Sequence, residues 1–151
     1  MAPRTSIALA FISSAAMIGT AAWAGHVNEG GWTFTTTLSG AVEVPPGDPD
    51  GTGTFTAVVN PGQKRICYTI TVTGIDPAPN AAHIHIGAAG IAGPPVIPFP
   101  TPPLGTSSSC ATATSRQLAQ IIAKPELYYV NVHNTEYPDG AIRGQLSRPS
   151  H

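Results

Sequence analysis

The sequence predicts an all-β domain, a Greek-key β-sandwich or barrel carrying one short helix. Three observations predict it. Runs of alternating apolar and polar residues recur along the 151 residues, the period of a strand with one buried face. Turn-forming residues separate these runs, with 16 glycines and 16 prolines in the chain. Charged residues are only 10% of the whole, and one stretch alone has helical spacing.

The first strand is read at 31–40, GWTFTTTLSG, where Trp32, Phe34, Thr36 and Leu38 share a face. Residues 44–53 are turn-rich, 54–59 form a second strand, and NPGQ at 60–63 is a hairpin turn. The strongest strand is 65–75. Ile66, Tyr68, Ile70 and Val72 make its core face, and Cys67, Thr69, Thr71 and Thr73 its half-exposed face. DPAPN at 76–80 breaks the chain before a strand AAHIHIG at 81–87. Residues 88–109 are Pro-rich and without period, which reads as an irregular loop tethered at its far end by Cys110. The helix is placed at 114–125. Ser115 caps it, Leu118, Ile121 and Ile122 form its apolar face, and Pro125 ends it. A last hairpin follows, with strands at 127–134 and 141–147. Tyr128, Val130, Val132, Ile142 and Leu146 point to the core; Tyr129, Asn131, His133, Arg143 and Gln145 point away from it. The total is about seven strands.

The N-terminus has the pattern of an export signal. Arg4 precedes the apolar run 7–19, and AWA at 22–24 has small residues at both positions that a cleavage site requires. The expectation is a signal peptide at 1–24, a single domain at 25–151, and a secreted or periplasmic location. An uncleaved anchor is the rival, but the apolar run is short for a spanning helix. No span is expected in the mature chain. A formal charge of −1 without a basic patch argues against nucleic acid as a partner. In an exported chain the two cysteines, Cys67 and Cys110, are expected to pair. A cysteine ligand to a metal is the alternative, although neither has a C-x-x-C partner.

The candidate chemistry lies in AAHIHIG. Residues i and i+2 of a strand project from one face about 6–7 Å apart. His83 and His85 therefore point together, opposite Ala82, Ile84 and Ile86. His133 lies on the non-core face of its own strand and supplies a third imidazole if the two strands are neighbours. Three imidazoles suit copper or zinc and leave a coordination position open. The alternative is a set of polar side chains on an exposed strand face. His26 and His151 lie near the termini and read as solvated. His26 would become a terminal copper chelator only if cleavage fell one residue later, with Trp23 in a small-residue position. Most carboxylates sit in Pro/Gly turns. Glu43 and Arg143 do not: Arg143 is placed near His133, where it would favour an anion, or in an ion pair with Glu43. No nucleophile elbow or phosphate-binding glycine loop is present.

The segments LSGAVEVPP (38–46), GTGTFTAVV (51–59), ICYTITVTGI (66–75), AAHIHIGAAGIAGP (81–94) and YYVNVHNTEYPDGAIRGQL (128–146) together resemble the CHRD, or chordin-type, domain. The resemblance covers about residues 33–147 and implies a secreted, mostly β module. The family's motif positions fall on Glu43, His83, His85, Asn131, His133, Arg143 and Gly144, and a two-cysteine tether fits Cys67–Cys110. A weaker similarity is to copper/zinc superoxide dismutases, which place an H-x-H on a strand near a disulfide and an arginine. The further histidines and the aspartate of a zinc site are missing here, which leaves at most a single copper centre. The leading expectation is an exported protein holding one copper ion, or zinc, on His83, His85 and His133. Asn131, Arg143 and Glu43 would support those ligands. The alternatives are a dismutase-like copper redox enzyme and a non-catalytic extracellular binding or structural module, with the Pro-rich loop 93–104 as a partner-binding surface.

Overall fold

The computed structural model describes residues 31–148. The expected signal peptide, His26 and His151 lie outside them. The chain forms β1 (Trp32–Ser39), β2 (Thr52–Asn60), β3 (Arg65–Thr73), β4 (Ala81–Ile86), β5 (Pro95–Phe99), β6 (Gly105–Thr112), α1 (Ser115–Ala123), β7 (Tyr128–His133) and β8 (Ile142–Gln145). Single 3₁₀ turns follow β1 at Gly40–Val42 and precede β7 at Pro125–Leu127. The eight strands make one antiparallel sheet in the order β5-β4-β7-β8-β1-β2-β3-β6. Its edge strands, β5 and β6, approach each other and nearly close it into a barrel. After β4, β5 and β6, the chain crosses through α1 to lay β7 beside β4, the return that defines a Greek key.

The inner face follows the alternation in the sequence. Phe34 and Leu38 of β1, Phe55 and Val59 of β2, the Ile66–Val72 face of β3, Ile84 of β4 and Val130 and Val132 of β7 are all buried. Phe55, Tyr68 and Phe99 stack at centroid distances of 4.2–5.8 Å. Leu118 and Ile121 of α1 are completely covered, so the helix lays its apolar stripe on the barrel.

Four local expectations are corrected. The stretch 88–109 is not one irregular loop: it holds β5 and most of β6. β5 tolerates Pro95 and Pro98 because it is an edge strand, where missing N–H donors face no neighbour. β6 is almost all small and polar, so nothing apolar alternates along it. Its strand character comes from pairing with β3, where Thr69 and Thr71 bond Ser108 and Thr106 at 2.8 and 2.9 Å. The cap of α1 is Thr114, not Ser115: Gln117 N–H donates to Thr114 Oγ1, and Thr114 N–H donates back to Gln117 Oε1. Ser115 instead donates to Pro61 O. Ile86, at the end of β4 past a register shift at Ile84/His85, is 39% exposed rather than buried. Trp32 leaves the expected β1 core face and is 50% exposed.

Cys67 and Cys110 face each other across β3 and β6 and are joined as a disulfide, with a sequence separation of 43. That removes them as metal ligands. Closing a loop of this length stabilises the fold by about 4 kcal/mol in the chain-entropy picture. Replacing both cysteines by alanine is expected to lower the denaturant-unfolding free energy by about 2–4 kcal/mol. An unchanged midpoint would show that pairing of β3 with β6 alone holds that edge.

Candidate metal centre

β4 and β7 are direct neighbours, with Ala81 opposite His133, His83 opposite Asn131 and His85 opposite Tyr129. Outward-pointing side chains of the two strands therefore share one patch. His83 is diagonal to His133 and two residues from His85, and the three imidazoles form a triangle. Ring centroids are 5.4 Å apart for His83–His85, 5.0 Å for His83–His133 and 5.6 Å for His85–His133. One ring nitrogen from each lies within 4.8 Å of the other two.

The hydrogen bonds fix which nitrogens are free. Gly93 O can only accept, so His85 Nδ1 donates to it at 2.8 Å and Nε2 carries a lone pair. That Nε2 is buried and has no hydrogen-bond partner. His133 Nδ1 likewise donates to Pro138 O at 3.0 Å, which leaves its Nε2 to accept from His83 Nδ1 at 3.1 Å. A carbonyl behind an imidazole, as at His85 and His133, is the arrangement that orients histidines toward a metal. Burial lowers the pKa of all three histidines, which favours their neutral forms; the His83 and His85 Nε2 lone pairs have no donor bonded to them, while that of His133 accepts from His83. The Gly93 and Pro138 carbonyls oppose that shift at His85 and His133, while Arg143 adds to it at His85.

The part of the outer face formed by β4, β7 and β8 is largely covered. Every residue of β7 is buried on both sides, and His85 and His133 are 6% and 8% exposed. The connection between β4 and β5 folds back over the patch. Gly87 O accepts from Gln145 Nε2, and Ala88 O and Ile91 O each accept from Arg143 at 2.9 Å. Tyr129 Oη meets both the N–H and the carbonyl of Gly93. The connection has to pass very close: a Cβ on Gly93 would lie 1.7 Å from Ile86 O. His83 alone is half-buried, and it opens onto a cleft of about 620 Å³ bounded by Val44, Pro45, Pro94, Tyr129 and Asp139.

Asn131 is 1% exposed, between His83 and Arg143 in register. The expected Glu43–Arg143 ion pair does not form. Arg143 is committed to the 88–91 carbonyls and to Gln145 Oε1, and its guanidinium lies 3.4 Å from the Tyr129 ring centroid. Nor does Arg143 face His133; Asn131 stands opposite it across the hairpin. Glu43 Oε1 and Asn131 Oδ1 are both buried without partners, and a Cβ on Gly140 would meet both side chains at 2.7 Å. Burial pushes the Glu43 carboxyl up to about 7, against smaller opposing effects of Val44 N–H and Arg143.

The sequence reading missed Tyr129, Gly93 and Pro138 as parts of this site. The signal that could have found the first two is the glycine-rich GAAGIAGP directly after the H-x-H, with an aromatic opposite His85. Pro138 acts through its backbone carbonyl, which no residue type announces.

The family model of the CHRD domain matches residues 34–146. The chain belongs to the CHRD family. No curated protein and no solved structure matches it. The matched segment runs from β1 to the residue after β8, so the histidine cluster, Glu43, Asn131 and Arg143 all lie inside the CHRD domain.

The raised Glu43 pKa makes a signed prediction. A carboxyl whose folded pKa exceeds its unfolded value of 4.5 contributes stability below that value. The contribution is lost as pH rises through about 7. Glu43→Gln imitates the protonated side chain. It is expected to leave stability at pH 4 unchanged and to raise it by about 2 kcal/mol at pH 8. Equal effects at the two pH values, measured by denaturant unfolding, would mean that folding does not shift the Glu43 pKa.

Proposed function

We propose that this CHRD protein is exported and binds a single copper ion, with zinc as the alternative, on His83, His85 and His133. The observation that carries the reading is His85 Nε2, a buried lone pair with no hydrogen-bond partner, aimed into a cluster of two further imidazole nitrogens. A buried polar atom left unpaired costs on the order of 1–3 kcal/mol unless something fills its valence. A metal would. The donor set is all nitrogen, because both cysteines are bonded to each other, and neutral imidazoles suit copper and zinc. His83, at the mouth of the cleft, leaves room for water or a small ligand beside the ion, as a redox role would need. Export rests on Arg4, the apolar run 7–19 and the AWA site at 22–24, and the disulfide agrees with an oxidising compartment.

A second reading has its own observation. His83 and His133 are hydrogen-bonded at 3.1 Å, so the cluster also works as a polar network that ties β4 to β7 in a non-catalytic module. Metal analysis of the purified mature chain separates the two. The expected result is about one copper or zinc per chain, lost in His133→Ala. Thermal unfolding should also shift upward with added metal, equivalent to about 2.7 kcal/mol at a hundredfold excess over Kd. A chain that retains neither metal, and melts unchanged when either is added, has the polar network instead.

A further inference from the structure

We propose that the centre holds copper as the cuprous ion in preference to the cupric ion, and that the buried guanidinium of Arg143 sets this preference. The inference rests on the three-histidine reading above.

Arg143 is 2% exposed and among the largest fully buried side chains of the protein. Its donors go to neutral oxygens, those of Ala88, Ile91 and Gln145. Among the described residues no carboxylate is ion-paired with it. Glu43 is not ion-paired with it either, and burial pushes that carboxyl up to about 7. The positive charge therefore has no bonded carboxylate inside the fold. It also lies close to the ligands. The guanidinium carbon is 3.4 Å from the centroid of the Tyr129 ring, and that ring is stacked on His85 at 4.9 Å and 21°. One aromatic ring separates a fixed cation from a metal-binding imidazole.

The ligands bring no negative charge to offset it. Three neutral imidazoles leave the full charge of the ion in place, and Coulomb repulsion from Arg143 grows in proportion to that charge. A divalent ion meets twice the repulsion of a monovalent one. Asp139 is the opposing carboxylate at the cleft, but it is exposed and water screens it. A unit of charge on the ion, at one ring's distance and surface-like effective dielectric, corresponds to about a tenfold change in affinity.

The test uses the mature chain at pH 6.5, with cuprous affinity measured anaerobically against a cuprous chelator and cupric and zinc affinities by titration. Wild type is expected to bind cuprous ion more tightly than cupric, which is the same as a copper reduction potential above that of the aqueous couple. Arg143→Gln is expected to tighten cupric and zinc binding by about a hundredfold and cuprous binding by about tenfold. Arg143→Lys keeps the charge and is expected to keep the wild-type order. Asp139→Asn is expected to change all three ions little. Equal shifts for the three ions in Arg143→Gln would overturn the role of Arg143. A wild-type potential below the aqueous couple would overturn the preference itself, even if Arg143→Gln fails to fold. A wild-type chain that binds none of the three ions would sink the three-histidine reading instead.

Discussion

The β4–β7 ladder is the contact on which the rest of the molecule depends. It joins strands separated by β5, β6 and α1, and its register puts His83 opposite Asn131 and His85 opposite Tyr129. Side chains alternate with a period of two, so a one-residue slip would send His83 and His85 into the barrel and Ile84 out of it. Burial of Ala82, Ile84, Val130 and Val132 on the inner side holds the register. The same hydrophobic packing that closes the core therefore sets the geometry of the histidine triangle on the outside.

Over β4, β7 and β8 the outward face becomes a second interior because a loop covers it. The β4–β5 connection is held down by Arg143, Gln145 and Tyr129, each binding its backbone rather than its side chains. Backbone recognition explains why a stretch of small residues can be placed so firmly. The loop in turn presents Gly93 O to His85, while the β7–β8 turn presents Pro138 O to His133. Two carbonyls from two loops thus fix the tautomers of two imidazoles. Burial under the loops lowers the pKa of those imidazoles and favours their neutral forms. Beside it Glu43 and Asn131 have buried oxygens without partners, and Arg143 donates to neutral oxygens with no carboxylate bonded to it. The domain concentrates its costly polar burial in one place, a pattern found where sites are built rather than where cores are packed.

Much of this was legible in the chain, for reasons that differ from element to element. β1, β3 and β7 announced themselves because each alternates apolar and polar residues, and the last hairpin had a consistent inner face. β5 and β6 did not. One is an edge strand broken by prolines and the other a run of serine and threonine, and both acquire their conformation from a neighbour. The helix was found but its cap was misplaced by one residue, because Thr114 and Ser115 have the same chemistry and only backbone geometry separates them. Ile86 followed the alternation on paper, yet the end of β4 leaves it exposed.

By itself the sequence determined the alternation that makes an all-β fold, the pairing of two cysteines, and the presence of three histidines on outward strand faces. Those are local properties, written in periodicity and residue type. Only the tertiary structure decided that His133 lies beside His83, that the outer face is buried over β4, β7 and β8, and that Arg143 turns to a loop and an aromatic ring instead of to Glu43. Each of those depends on which distant segments meet. The local period of a strand says where its side chains point, and long-range pairing alone says what they point at.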